Sequence, residues 1–463
     1  MRNARFRLGA APGRDRLVPS SHPLIIISMN DPTGGPRYVL DVPYARRFVR
    51  ELTPAWLDFS ALICGFAPPV RDAGFTWCEL GCGHGVTPAV LAATHPHGRF
   101  HGIDLMPEHV AFAEQLCREA EIPNAAFHAC DFADAGKLGL PRFDMIVAHG
   151  VYTWIDVTAQ ADLLRFVDRH LKPGGLLYLS YDCLPGWAGD MPLQHLLQIL
   201  AARAAGDSIA RLNSADRVIA AMKSLGADAL QLGAMGREWE ALRTKLPPAY
   251  FVHQFLPPAW KPLYVTELRQ ATARIGLSPI GSATIRENVD AFTLEKTARE
   301  LIAATADPDL RELLRDYLLM KRFRRDVFGR DVPQLDATEQ RKRLCAGTFM
   351  LSYPRNTGND AEVPFNHPAA QAILALLEGG PASPSVLLAQ GHAIDAVVSQ
   401  IIGLASAGRI WPIAGQAEPT GARRLNTVLR RRIGTPDAIP FAVLSRGIAV
   451  ELADNDWPNL EDS

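Results

Sequence analysis

Between residues 77 and 181 the chain alternates short apolar runs with stretches of helical spacing. Trp77 to Leu80, Arg99 to Asp104, Ala125 to Cys130, Phe143 to Ala148 and Leu176 to Tyr181 have the length of buried strands rather than helices. Pro88 to Ala93 and Thr158 to His170 read as helices, the latter through Leu163, Leu164, Phe166 and Val167. Lys172-Pro173-Gly174-Gly175 stops that second helix, because proline cannot continue it and glycine tolerates a left-handed exit. Alternation of this kind predicts an α/β fold, a Rossmann-like doubly wound and mostly parallel sheet whose ligand sits at the carboxyl ends of the strands.

The flanking patterns differ. Upstream, Tyr44, Phe48, Val49, Leu52, Trp56, Leu57, Phe59, Leu62 and Ile63 recur every three to four residues, as in helices packed on a sheet. Past Trp187, alanine- and leucine-rich helices (His195 to Ala205, Ala215 to Leu225, Gly236 to Lys245) predict a helical insertion that caps the crevice. Leu301 to Phe328 reads as helix ending in the basic run Lys321-Arg322-Phe323-Arg324-Arg325, a solvated face. Residues 331–363 are polar and punctuated by proline and glycine, as a linker is. Helices at 368–377, 393–407 and 423–432 around a short strand at 409–413 suggest a small winged-helix-like module. The expected divisions are a disordered extension over 1–37, a ligand-binding domain over 38–186, a helical lid over 187–330, a linker over 331–365 and a small C-terminal domain over 366–463.

The chemistry concentrates where the first strand breaks. Glu79-Leu80-Gly81-Cys82-Gly83-His84-Gly85 turns from strand to helix, leaving backbone N–H groups pointed into a crevice that glycine lets a ligand approach. The dinucleotide fingerprint spaces its glycines G-x-G-x-x-G, whereas these are G-x-G-x-G. The carboxylate of Glu79 would repel a pyrophosphate and attract the ammonium of an amino-acid-bearing nucleotide such as S-adenosylmethionine, which disfavours a nicotinamide cofactor. Asp104, with Leu105 beside it, lies where a carboxylate meets ribose hydroxyls. Asp131 and Phe132 end the third strand, where a carboxylate and the next N–H could read an adenine edge.

Glu79-x-Gly81-x-Gly83-x-Gly85, Asp104, Asp131 and Leu171 to Gly175 together resemble the successive motifs of class I S-adenosylmethionine-dependent methyltransferases. Phe143 to Trp154, running on into Tyr181 to Trp187, is similar to the subgroup that carries a methyltransferase regulatory domain and includes the rickettsial protein-lysine methyltransferases. That subgroup tends to follow the turn with Gly and Asn, where this chain has Val86 and Thr87. The resemblance implies S-adenosyl-L-methionine as cofactor, a regulatory domain around Tyr250 to Ile285, an N-terminal tyrosine such as Tyr38 closing over the donor, and a protein lysine as acceptor. A small-molecule N- or O-methyltransferase, or a donor-binding regulator without catalysis, fits the same residues. The acceptor side should come from the ends of the fourth and fifth strands, so His149, Tyr152, Trp154 and Tyr181 are the catalytic candidates. Their rings could hold a cation, and His149, which also borders the donor, could take a proton.

Composition adds exclusions. Among 463 residues, 48% are hydrophobic and the net charge is −1, which gives no sign of a polyanionic partner such as nucleic acid. No stretch reaches the roughly 20 apolar residues of a membrane span. Seven scattered cysteines form neither a disulfide framework nor a paired metal spacing, which fits a reducing cytoplasm and no metal.

Overall fold

The computed structural model describes residue 39 and residues 41–70, 74–352 and 366–452. The expected extension over 1–37 and Tyr38 lie outside the described residues.

Seven strands make the main sheet: β1 (Thr76–Leu80), β2 (Arg99–Asp104), β3 (Ala125–Ala129), β4 (Phe143–Ala148), β5 (Leu171–Asp182), β6 (Ser278–Ser282) and β7 (Phe323–Gly329), in the order β3-β2-β1-β4-β5-β7-β6. The first five are mutually parallel, and β7 enters antiparallel between β5 and β6. The expected Rossmann-like sheet is therefore present. All five residues of β1 are buried, as a strand covered on both faces requires.

One face is covered by α1 (Pro54–Ile63), α2 (Val86–Thr94) and α3 (Pro107–Glu119), which share a core with Trp77, Met145, Leu176 and Tyr178. The other, covered by α4 (Phe132–Ala135) and α5 (Val157–His170), takes Cys78, Leu80, Ile146, Leu177, Leu179 and Tyr181. Residues 191–255 form α6 (Met191–Arg203), α7 (Ser208–Ser224), α8 (Ala234–Arg237), α9 (Trp239–Lys245) and α10 (Pro248–Phe255), around a separate core of Leu197, Leu212, Trp239, Phe251 and Phe255. Then α11 (Val265–Ala273) joins the α5 face through Leu268.

Two expectations need correction. The helix read over 301–328 is instead α12 (Lys296–Ala304), α13 (Pro308–Leu319), a left-handed Met320 and β7. The basic run is not a solvated helix face: Arg324 is buried and pairs with Asp316 at 2.6 Å, Glu312 at 2.8 Å and Asp326 at 3.0 Å. The linker read over 331–365 contains α14 (Ala337–Ala346), capped by Asp336, and β8 (Thr348–Leu351), and it buries Leu344, Cys345 and Phe349.

Beyond it follow α15 (Pro368–Glu378), α16 (Val386–Ala389), α17 (Ile394–Ser406), β9 (Ile410–Ile413), α18 (Pro419–Arg431), β10 (Phe441–Leu444) and β11 (Ile448–Glu451). β8 pairs with β9 and β10 with β11, both antiparallel. Ile373, Ile401 and Leu425 join the same core as Trp77, so the C-terminal segment packs on the α2 face of the sheet. A Cβ on Gly421 of α18 would lie 1.9 Å from the Ala93 carbonyl, so glycine is what lets these helices touch. Arg432 and Arg424 pair with Glu119 and Glu121 at the end of α3, at 2.8 and 3.4 Å.

Candidate active site

The glycine turn is tied to its neighbouring strand by two N–H groups, from Gly81 and Cys82, that share the Ile103 carbonyl at 2.8 and 3.1 Å. Gly83 N–H donates to Asp104 Oδ2 at 2.7 Å. Asp104 Oδ1 accepts from Met106 N–H at 3.0 Å and faces His109 Nδ1 at 3.1 Å. The carboxylate at the end of β2 is thus held rigidly over the turn. Gly85, at φ 65, precedes α2 without a side-chain cap, so the first N–H groups of that helix are left to a ligand. His84 lies within the turn, 4.2 Å from the His109 ring, and burial pushes its pKa down to about 4.

Glu79 sits one residue before the end of β1, only 5% exposed, and its Oε2 has no partner among the described residues. Burial first, then the neighbouring Asp104 charge, pushes its carboxyl well above the usual range. A buried carboxylate lacking a counter-charge suits the ammonium of an amino-acid-bearing donor. Leu105, 43% exposed, supplies apolar surface beside Asp104. Asp131 is exposed at the end of β3 and caps α4 by accepting from Asp134 N–H at 2.8 Å, with Phe132 half-buried next to it. Glu79, Gly81, Gly83, Gly85, Asp104, Leu105, Asp131 and Phe132 therefore all gather at the ends of the three neighbouring strands β1, β2 and β3.

The acceptor side divides the four catalytic candidates. His149 directly follows β4, and its Nδ1 lies 2.8 Å from the Tyr178 hydroxyl and 3.1 Å from Ser180 Oγ. Ser180 Oγ accepts from Gly150 N–H at 2.8 Å, so the two hydroxyls hold the imidazole by its Nδ1 edge. Burial, then the Arg325 charge, pushes His149 down to about 4, so its ring is uncharged at neutral pH. The other three candidates lie elsewhere. Tyr181 is fully buried on the α5 face and donates to Asp326 at 2.6 Å. Tyr152 packs into the same α5-side core, and Trp154 packs against the helical insertion. Successive strand residues point to opposite faces, so Tyr181 is one residue out of phase with the site.

Sequence reading missed Tyr178, Ser180 and Asp182, although their alternation with Leu177, Leu179 and Tyr181 is a period-two signal. Asp182, 3% exposed, accepts from Trp260 Nε1 and Gln254 Nε2, each at 2.7 Å, and burial pushes it up to about 6. The Trp187 and Trp260 rings meet edge to face at 4.9 Å. Phe323, opposite Asp182 in the β5–β7 ladder, brings its ring within 5.9 Å of His149.

Residues 41–49 run from the helical insertion to α2. Asp41 accepts from Ser208 N–H and Oγ at 2.7 Å, His253 Nε2 donates to the Val42 carbonyl at 2.9 Å, and Tyr44 sets its ring edge against His253. Val49 N–H donates to Thr87 Oγ1 at 3.2 Å, which gives Thr87 a structural part in the turn that follows the glycines. A cavity of about 470 Å³ lies apart from this region, between β6 and α13, and takes none of the strand-end residues into its lining.

Residues 71–216 match the family described as methyltransferase domain, and residues 247–330 match the predicted methyltransferase regulatory domain. The uncharacterized protein sll1526 of Synechocystis sp. is 28% identical over 422 residues, covering 89% of this chain and 81% of that protein. Trans-aconitate 2-methyltransferase of Azoarcus sp. is 34% identical over 134 residues, covering 29% of this chain and 47% of that enzyme. The structure of PKMT2 from Rickettsia typhi in complex with AdoHcy superposes with a TM-score of 0.64 at 20% identity, covering 81% of this chain and 78% of that one. Among the described residues no helix is long and apolar enough to cross a membrane.

Proposed function

We propose that this chain, a class I S-adenosylmethionine-dependent methyltransferase whose catalytic domain is followed by a methyltransferase regulatory domain, methylates a protein side-chain nitrogen, that of lysine. The observation that carries the acceptor is Asp182, a buried carboxylate at the end of β5 beside the Trp187 and Trp260 rings. A carboxylate among aromatic faces suits an ammonium, each cation–ring contact contributing about 0.5–2 kcal/mol. AdoHcy, the demethylated donor, in the Rickettsia typhi structure supports the same donor here.

The donor supplies an electrophilic methyl on a sulfonium. In this reading Glu79 holds its ammonium, Asp104 its ribose, and Asp131 with Phe132 its adenine. Positioning is then the main catalytic contribution. Lysine must shed a proton before its lone pair can attack, and desolvation lowers the ammonium's own pKa. Asp182, pushed up to about 6, is better matched to receive that proton than His149, pushed down to about 4. His149, uncharged and held by its Nδ1 edge, instead offers Nε2 to orient the acceptor. A cytoplasmic location belongs to the same proposal, supported by seven free cysteines, five of them buried.

A second reading, methylation of a carboxylate oxygen, is favoured by the partial likeness to trans-aconitate 2-methyltransferase. Incubation with radiolabelled donor and cell lysate separates the two. Counts in protein that survive alkali and appear as methyl-lysine after hydrolysis are expected; counts released by alkali as methanol would mean an ester and reject the lysine assignment.

A further inference from the structure

Adjacent arginines on β7 have opposite fates. Arg324 turns to one pleat and meets three carboxylates, whereas Arg325, opposite Ser180 in the ladder, turns to the pleat that carries Tyr178, Ser180 and Phe323. There its side chain donates to Thr284 Oγ1 at 3.3 Å and lies 5.0 Å over the Phe323 ring, and its Nε is buried without a partner. Among the described residues Arg325 makes no ion pair, and neither does the exposed Arg47. Both charges push the pKa of His149 down, while the opposing charge of Glu51 is shared with Arg50 at 3.6 Å. A half-buried guanidinium costs free energy unless an anion meets it.

The donor does not fill that need. With its ammonium on Glu79 at β1, its carboxylate, on the same carbon, stays close to β1. The Arg325 backbone stands three strands away through β4, β5 and β7, about 14 Å at roughly 4.8 Å per step, and its guanidinium reaches back as far as His149 at the end of β4. The bound donor also carries a net positive charge, which adds to the imbalance beside His149.

We infer that the acceptor carries a carboxylate next to the group that is methylated, seated on Arg325 with Arg47 at the rim; in a protein acceptor this is an Asp or Glu flanking the lysine. The inference rests on the proposed function for the identity of the methylated atom, and only for that.

Two measurements test it. First, N-acetylglutamate amide and N-acetylglutamine amide are titrated into the AdoHcy-loaded protein. Saturable binding of the glutamate probe, at least about tenfold tighter than the glutamine probe, is expected from a charge-assisted guanidinium contact. It should be lost in Arg325→Gln, partly kept in Arg325→Lys, and accompanied by AdoHcy affinity within about twofold of wild type in both. Equal binding of the two probes would overturn the inference. So would an Arg325→Gln loss of AdoHcy affinity, which would assign the arginine to the donor's own carboxylate. Second, lysine peptide libraries with Glu, Gln or Lys fixed beside the lysine are methylated with labelled donor. Preference for Glu in wild type, shifted toward Lys in Arg325→Glu, is expected. Selective glutamate binding without methylation of any library would leave the anion seat standing and remove the lysine assignment.

Discussion

Gly83 and Gly85 share a left-handed backbone, φ 51 and 65, yet their replacement by alanine should have separable effects. A Cβ on Gly85 would lie 2.5 Å from Ala113 Cβ and 2.6 Å from Phe127 Cε1. Ala113 is fixed on α3 and Phe127 on β3, both buried, so neither can swing aside. A left-handed alanine costs about 1–2 kcal/mol and overpacking about 1–3, so Gly85→Ala should destabilise the fold by roughly 2–5 kcal/mol. A Cβ on Gly83 would meet nothing within 4 Å, which leaves the backbone term alone, about 1–2 kcal/mol. That methyl would instead project from the turn whose N–H holds Asp104. Urea denaturation should therefore rank Gly85→Ala as the less stable variant. Calorimetry with AdoHcy should rank Gly83→Ala as the weaker binder among folded molecules, by about tenfold or more, equivalent to about 1.4 kcal/mol. Wild-type AdoHcy affinity in Gly83→Ala, or a larger stability loss there than in Gly85→Ala, would refute the assignment of the turn to the donor.

Because the Glu79 carboxyl is raised by burial, it binds its proton more tightly in the free protein than an ordinary glutamate, and pairing with an ammonium must drive that proton off. Calorimetry of donor binding in buffers of different ionisation heat should show proton release, up to one per site, that Glu79→Gln abolishes; proton uptake would sink the pairing. Asp182, raised to about 6, must be ionised to hold an ammonium, so kcat/KM should fall as pH drops through about 6, and Asp182→Asn should remove that limb. His149, lowered to about 4, should add no limb above about pH 5, which a pH profile of His149→Gln checks. Tyr181→Phe strips a buried donor from Asp326 and should cost about 1–3 kcal/mol of stability with kcat within about twofold of wild type. A fall in kcat at unchanged stability would return Tyr181 to the active site.

The central strands β1 and β4 were legible because a near-continuous apolar run such as Phe143 to Ala148 is too short for a helix and too apolar for a surface loop. The strand-end acids were legible for a related reason: Glu79 and Asp104 sit at or beside the points where such runs break. At β5 the run concealed its own phase. Leu176, Leu177 and Leu179 are apolar on both pleats, so only the order Tyr178, Ser180, Asp182 tells the site face from Tyr181. The charged β7 escaped because Arg324 and Asp326 satisfy each other within the interior, which turns a buried strand into a sequence that looks solvated. Residues 331–351 escaped because α14 buries only Leu344 and Cys345.

The position of β7 has a consequence for how the regulatory segment acts. Residues 247–330 match as a unit, yet β6 and β7, both within them, complete the catalytic sheet. Because β7 pairs directly with β5, its two pleats do different work. Arg324 and Asp326 lock it to α13 and to Tyr181, while Phe323 and Arg325 face His149 and Ser180. A one-residue slip of β7 would turn Asp326 toward His149 and Ser180 and break its hydrogen bond with Tyr181 and its ion pair with Arg324. The Tyr181–Asp326–Arg324 set therefore favours the observed register, which keeps Arg325 on the face that carries His149 and Ser180.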